Sequence, residues 1–565
     1  MDHAVITLDA HGYFIRNGER VVPVGVNYWP ATCGVEMWQA WPQDEIERDL
    51  DLLTKLGLNA IRFFLRWQDF EPRPGEYDRP AFQRLAWMLG ACRQRRILAH
   101  PSLFVGWMSG GLFWPEWKAG RSLYSDPFVV ERAERFAEEA ARAIAPFAHS
   151  VLAVDLGNEL DVLPESWSSP PADVESWCRR IAGAVRRGCP GTLIVSGCDH
   201  NQVAADSGWR LGGQQGTDFY SMHAYPVPAW NPIAFDGLTD PLCQALLPFY
   251  TRAARAFGPV MVQEFSTILT RGARQADSYL RAVLDGCRQA GANGFLYWCF
   301  RDIVAQAHPY GKNAFEGTLG LVDAAGKVKP GLEYYLEFAA RVQKQPGRTS
   351  SPHDGAAGLY FPKEYYNRDN PRNAGNDPRR LTRWLIVADC LLRQLGRSTA
   401  IIRGDRPVPD GLRALIIAGA MVNADEARSL EGWVRAGGRL IWSGPSLSNW
   451  GTEFSRLIGG DPVDVRSTRP AAVRCFDQEW TFADYPQGAR LEVAPATAEV
   501  VASDSAGIPV VLRNRVGDGV VVCTLPIVEE AIARVADQRE QRDRWLAWYE
   551  GALRAAGKMD DGMMR

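Results

Sequence analysis

The chain has 565 residues, 46% of them hydrophobic and 23% charged, with a net charge of -3 at pH 7. That length allows two or three domains with sizeable cores, and the near-neutral balance argues against a nucleic-acid partner or an anionic membrane surface. No apolar run approaches the roughly 18 residues needed to span a bilayer. The opening Met-Asp-His-Ala-Val-Ile-Thr-Leu-Asp has no basic-then-apolar leader, so a cytoplasmic protein is expected. The 11 cysteines are odd in number, irregularly spaced and never in a Cys-x-x-Cys pair, which fits buried reduced thiols rather than a zinc or redox site.

Strand and helix signals alternate along the chain. Residues 4–30 read as a hairpin turning at Asn17-Gly18, followed by a first core strand, Pro23 to Trp29. A helix over Asp44 to Leu56 places Ile46, Leu50, Leu53 and Leu56 on one face and stops at Gly57. Next come a strand over Leu58 to Leu65, a helix over Pro80 to Gln94 and a strand over Arg96 to Ser102. A long helix over Pro127 to Ala148 precedes the apolar run Val151 to Leu156, which ends in Gly157-Asn158-Glu159. A near-continuous apolar run fits a strand buried on both faces. The pattern continues with a helix over Asp173 to Arg187 and strands over Thr192 to Ser196 and Asp218 to Tyr225. A helix over Leu242 to Phe257, a strand over Pro259 to Glu264 and a helix over Ala276 to Ala290 follow. A strand over Asn293 to Trp298 and a helix over Pro330 to Gln343 complete it. Eight strands in strict βα alternation predict an α/β fold, a (β/α)8 TIM barrel over residues 1–345 with the N-terminal hairpin included. A doubly wound sheet would favour a glycine-rich phosphate loop after the first strand, and none is present.

Residues 346–378 are dominated by Pro, Gly, Ser, Asn and Asp and read as a linker and loop. Residues 379–462 follow as a smaller α/β domain of flavodoxin-like pattern, with helices over Arg383 to Leu395 and Asp425 to Ala436 and strands over Ala414 to Gly419 and Gly438 to Ser443. Residues 463–565 read as a β-rich segment ending in a charged amphipathic helix, Glu529 to Ala556.

Carboxylates end two of the barrel strands, Glu159 on the fourth and Glu264 on the seventh. The C-terminal ends of barrel strands surround one mouth, so the two can face a shared space. Two carboxylates across a cleft form the acid/base and nucleophile pair of glycoside hydrolysis. Other polar residues fall in the same register: Arg62, His100, His223, Tyr225 and Trp298. Arg62 can hold a nucleophilic carboxylate ionised. Asn158 can bond a sugar 2-hydroxyl, Tyr225 can bond Glu264, and His100 and His223 can orient these groups and bind hydroxyls. Trp298 can form the floor under a sugar ring. Burial and a charged neighbour should raise Glu159, keeping it protonated, while Arg62 keeps Glu264 ionised. Nothing in this chemistry calls for a metal or an organic cofactor.

Asn59-Ala-Ile-Arg62, His100, Gly157-Asn158-Glu159, His223-Ala-Tyr225, Glu264 and Trp298 together resemble clan A glycoside hydrolases, closest to family 5, over about residues 20–345. The resemblance implies a double displacement with Glu159 as acid/base and Glu264 as nucleophile. Glu316 opens a stretch to Pro330 that resembles the segment after the last strand in many clan A enzymes. Gly411 to Trp442 resembles the trimerisation domain of family 42 β-galactosidases, itself like glutamine amidotransferases. That implies a scaffold and a homo-oligomer. Amidotransfer would need a Cys on an elbow and a later His, and the last histidine is His353.

A cytoplasmic enzyme meets short oligosaccharides, which favours removal of one terminal sugar in a pocket. Trp114 lies in an aromatic-rich loop after the third strand, and Trp167 and Trp230 follow the fourth and sixth. Aromatic faces of this kind can line a sugar pocket. Exo-acting family 5 members with an added α/β domain resemble β-mannosidases, some acting on Manβ1-4GlcNAc, so the resemblance implies a β-mannosidase. β-Galactosidase, endo-mannanase or endo-glucanase, and a non-catalytic sugar-binding scaffold are the alternatives. No strand-end residue separates an axial from an equatorial 2-hydroxyl.

Overall fold

The computed structural model describes residues 5–268, 272–347, 357–366, 376–445, 449, 451–466, 472–480, 490–533 and 538–557. The chain divides into two compact units. The first holds Met1–Val227, Gly237–Thr239 and Leu246–Thr349; the second holds Pro228–Asp236, Asp240–Ala245 and Ser350–Arg565.

The first unit is built on eight strands: β1 Val24–Tyr28, β2 Ala60–Phe64, β3 Leu98–Val105, β4 Val154–Asn158, β5 Ile194–Val195, β6 Tyr220–His223, β7 Val260–Phe265 and β8 Ala292–Tyr297. They pair in parallel, in the spatial order β5-β4-β3-β2-β1-β8-β7-β6. The Asp218 N–H donates to the Ile194 carbonyl at 2.8 Å, joining β5 to the approach of β6 and rounding the sheet into the expected barrel. Its helices bury one face each. In Pro171–Gly188, Val174, Trp177, Cys178, Ile181, Ala182 and Val185 recur at helical spacing against the sheet side. Asp78 and Asp126 cap two other helices by accepting from Ala81 N at 2.8 Å and Val129 N at 3.0 Å, each with Pro early in the helix, where its missing N–H costs nothing.

The N-terminal hairpin packs Ile6 and Phe14 into the core cluster of Ala60, Leu98, Leu152, Phe219, Met261 and Leu296. These residues sit at the beginnings of the barrel strands, so apolar packing fills that end. Polar residues are held further along. Asn27, Arg62 and His100 are register partners across β1, β2 and β3, and His223 is the partner of Glu264 across β6 and β7.

β2 ends at Phe64, one residue short of the expected Leu65, and β3 runs on to Val105, three residues past the expected Ser102, so Arg62 and His100 lie within their strands. A polar side chain does not end a strand when the barrel interior supplies its partners. Tyr225 and Trp298 lie just beyond β6 and β8.

The second unit contains a seven-stranded sheet. Its strands are β9 Ala357–Phe361, β10 Thr399–Arg403, β11 Ala414–Ala418, β12 Arg439–Ser443, β13 Glu499–Ser503, β14 Pro509–Val516 and β15 Gly519–Thr524, in the spatial order β10-β9-β11-β12-β15-β14-β13. Two expectations are corrected. β9 falls inside the stretch 346–378 read as linker, and its residues are all buried between β10 and β11. The rest of that stretch lies largely outside the described residues, at 348–356 and 367–375. The boundary drawn at 462 also runs through one sheet, because β15 pairs in parallel with β12. Its Val520-Val-Val-Cys523 run has the continuous apolar character of a central strand. The terminal helix is described as Val528–Ala533 and Gln538–Ala555; residues 534–537 of the expected span lie outside the described residues. No helix among the described residues is long and apolar enough to cross a membrane.

Candidate active site

Arg62 is the hub. Its side chain is fully buried, and a guanidinium in that position needs every N–H directed at an acceptor. Nε and Nη2 donate to Asp155 Oδ2 at 2.9 and 2.7 Å, Nη1 to Asn27 Oδ1 and Glu264 Oε2 at 3.0 Å each, and Nη2 also to Asn158 Oδ1 at 2.9 Å. Four strands are thereby tied to one cation.

Glu264 leaves β7 with its side chain 5% exposed. Tyr225 donates its hydroxyl to Glu264 Oε1. Glu159 follows β4 and is 13% exposed at its side chain, so it is the more accessible of the two carboxyls. Its backbone is left-handed, with φ 50, a conformation uncommon for a residue with a Cβ and held here by the Glu159 N–H bond to Gly197 O at 2.9 Å. One oxygen of Glu159, one of Glu264 and a ring nitrogen of His223 lie within 4.8 Å of one another. His223 Nδ1 is 3.0 Å from Glu159 Oε1 and 3.7 Å from Glu264 Oε2. Among the described residues this is the one group spaced to hold a metal ion, but the Arg62 guanidinium on Glu264 opposes a second cation there.

Burial is the largest influence on both carboxyls. It raises Glu159 to about 8, assisted by the Asp199 charge. Glu264 also lies above the ordinary carboxylate range, raised by burial and by the charge of Glu159 against the opposing effects of His223, Arg62 and Tyr225. Arg62 lowers Glu264 as expected, but burial is the larger effect. Burial lowers both histidines, His100 to about 4, so His100 is neutral at pH 7 and His223 is pushed toward its neutral form.

The other expected residues divide. His100 is fully buried, donates from Nδ1 to Ala153 O at 2.8 Å, and cannot reach a hydroxyl; it orients and does not bind. Asn158 gives Oδ1 to Arg62 and one amide hydrogen to Trp107 O at 2.9 Å, leaving a single N–H for a substrate. Trp298 is buried, edge-on to Phe64 at 6.0 Å, and donates Nε1–H to Glu316 Oε2 at 3.2 Å. Glu316 is a third buried carboxyl at this mouth, raised to about 7 by burial and by the charges of Glu264 and Glu159. Trp114 is half-buried; it packs edge-on to Trp67 at 6.5 Å with Lys118 over its ring at 5.2 Å.

Several residues at the site were missed. Asp155 lies inside the apolar run Val151 to Leu156, and Gln263 follows Val260 to Val262 directly before Glu264; a polar residue in or against a buried strand was the available signal. Asp161 and Asp199 form a buried pair beyond β4 and β5, where Asp199 N–H donates to both Asp161 oxygens at 3.2 and 3.1 Å. Burial and the Asp199 charge push Asp161 well above the carboxylate range; at Asp199 burial is outweighed by His200, 3.2 Å away, and its carboxyl is held low. Asp199 thus places a negative charge beside Glu159. The arrangement supplies a protonated carboxyl facing solvent and a buried carboxylate gripped by a cation, which suits proton donation and nucleophilic attack at one carbon.

No protein-family model and no curated protein matches this chain. Solved structures do. An exo-β-1,4-mannosidase from Opitutaceae bacterium strain TAV5 is 48% identical over 97% of this chain and 99% of its own, with a TM-score of 0.93. A family 5 subfamily 18 protein from Streptomyces cattleya, in complex with Manβ1-4GlcNAc, is 20% identical over 70% of this chain and 98% of its own, with a TM-score of 0.61. A cold-adapted β-galactosidase from Rahnella sp. R3 is 14% identical over 99% of this chain and 91% of its own, with a TM-score of 0.67. The last two are likenesses of fold. The first spans both units at nearly one residue in two, and by it the chain belongs to glycoside hydrolase family 5 and is a glycoside hydrolase.

Proposed function

We propose that the protein is a retaining exo-β-mannosidase that releases one mannose from the non-reducing end of short β-1,4-linked oligosaccharides. Glu159 is the acid/base and Glu264 the nucleophile. The observation that carries this reading is the Glu159–His223–Glu264 cluster within 4.8 Å, on the short side of the roughly 5–5.5 Å of retaining pairs and well below the roughly 6.5–9.5 Å that admits the water of an inverting reaction. Arg62 and Tyr225 hold Glu264 for attack on the anomeric carbon. Glu159 gives its proton to the departing glycosidic oxygen, then takes one from the water that hydrolyses the glycosyl-enzyme. The choice of mannose is supported by the identity to the Opitutaceae exo-β-1,4-mannosidase.

Exo action is supported by the loops. Asn313, beyond β8, donates Nδ2–H to Ser109 O in the loop after β3, and Asn158 ties Trp107 of that loop to β4. Such ties fix these loops beside the carboxyl pair. With mannohexaose, mannose should be the sole small product from the earliest time points; dimers to tetramers appearing first would mean endo cleavage.

The pH profile follows from the two carboxyls. Glu159 acts protonated, so kcat/KM falls as pH rises through its value of about 8. Glu264 acts ionised, so kcat/KM falls as pH drops through a value above the ordinary carboxylate range. Asp199→Asn removes a charge that favours the protonated Glu159 and moves the basic limb to lower pH, by about one unit. A basic limb that stays in place in that variant contradicts the assignment of the limb to Glu159.

A cytoplasmic location is supported by eleven free cysteines. Assembly into a homo-oligomer through the second unit is supported by its resemblance to a trimerisation domain, and light scattering of the full chain tests it.

A further inference from the structure

We propose that Gln263 is a positioning residue that sets the proton register of the site: clamped by Asp155, its amide holds His223 as the Nε2–H tautomer, whose Nδ1 lone pair faces Glu159. The inference rests on the reading of Glu159 as acid/base and goes beyond it in naming what keeps the acid loaded.

The Asp155 oxygen paired with Arg62 accepts every bond made to it. Asp155 takes two bonds from Arg62, and Gln263 Nε2 lies 3.3 Å from the same Asp155 oxygen. Only the amide N–H can face that carboxylate, so the orientation of the Gln263 amide is fixed. The second Gln263 N–H then points to His100 Nε2 at 2.7 Å, which must accept. This agrees with an independent constraint. His100 Nδ1 faces the Ala153 carbonyl at 2.8 Å and must carry the hydrogen, leaving Nε2 a lone pair. The amide oxygen of Gln263 is therefore the atom 2.8 Å from His223 Nε2, and His223 must donate to it. A neutral His223 has its lone pair on Nδ1, aimed at Glu159 Oε1 at 3.0 Å. A carboxylate there would meet a lone pair; a protonated carboxyl donates to it. Burial favours the neutral ring.

The same arrangement works in both half-reactions. Before bond cleavage it keeps the proton on Glu159. Afterwards it makes the Glu159 carboxylate more basic, so the proton of the attacking water moves to it as the bond from the anomeric carbon to Glu264 breaks. Other charges face Glu159 as well: Arg62 from β2, Asp161, Asp199 and His200 beyond β4 and β5, Glu264 from β7 and Glu316 beyond β8. Tyr225 adds a hydroxyl already committed to Glu264. None of these fixes a tautomer, which is why the amide is singled out.

The test has two arms on the full chain. Selective nitrogen-15 labelling of the 8 histidines, with the His223 signals identified by their loss in His223→Asn, reads the tautomer directly. The expected result at pH 6.5 is a neutral ring protonated at Nε2. A ring protonated at Nδ1, or at both nitrogens, overturns the proposal. In the second arm Gln263→Met keeps the side-chain volume but has no N–H to give. It should let His223 mix tautomers and move the basic limb of kcat/KM down by about one pH unit. A folded Gln263→Met whose limb does not move also overturns it. Failure of the function reading looks different: the basic limb would survive in Glu159→Ala, whereas the tautomer measurement needs no activity and stands or falls alone.

Discussion

Glu264→Gln should lose on the order of 10^5 in kcat, about 7 kcal/mol of transition-state stabilisation, with little change in fold. The carboxylate oxygen forms the bond to the anomeric carbon, and an amide of the same shape cannot. The substitution also leaves Arg62 paired with Asp155, Asn27 and Asn158, so the hub stays satisfied and the barrel should unfold near the wild-type temperature. Rate at saturating aryl β-mannoside, with circular dichroism as the control on folding, measures both halves. A second variant separates nucleophile from bystander. Glu264→Ala opens space on the face of the sugar opposite the leaving group, and azide added there attacks once, giving a mannosyl azide of inverted configuration. A Glu264→Gln enzyme within tenfold of wild type, or an azide product of retained configuration in Glu264→Ala, would remove Glu264 from the nucleophile's role.

The barrel was legible in the sequence because its strands are short apolar runs separated by helices with one apolar face, and those two periods differ. The polar layer inside it was legible only in part. Glu159, Glu264, Tyr225 and Trp298 stand where apolar runs stop, so each announces a strand end. Arg62 and His100 lie inside their strands and mark no strand end. What hides this is that a buried cation is acceptable only with partners from other strands, here Asn27, Asp155, Asn158 and Glu264, and those pairings are not local. Asp155 was invisible as a site residue because it interrupts a run without ending it, and Gln263 because the carboxylate next to it, Glu264, marked the strand end. The rise at Glu264 comes mainly from burial, which depends on the packed barrel and is not written in the local sequence. In the second unit, β9 lies between stretches rich in Pro, Ser, Asn and Gly that read as loop, and its parallel pairing with β10 and β11 makes it a strand.

Glu159→Ala should separate two substrates that wild type treats alike. On a β-1,4-linked mannobiose the departing oxygen belongs to a sugar hydroxyl and needs a proton as it leaves, so the loss in kcat/KM should be on the order of 10^3 to 10^4. On a p-nitrophenyl β-mannoside the phenolate leaves unaided, and the first step should lose about tenfold or less. The second step still needs a base, so the glycosyl-enzyme on Glu264 accumulates and p-nitrophenol appears as a burst. Azide, which needs no base, should speed that step and give the azide of retained configuration, opposite to the Glu264→Ala product. The basic limb near 8 should disappear, because the group that titrates there is gone. Equal losses on the two substrates would mean that Glu159 acts on binding or folding rather than on the proton. Mass spectrometry of the quenched burst should place the added hexose on the peptide carrying Glu264, and a label found elsewhere would break the pairing of the two carboxyls.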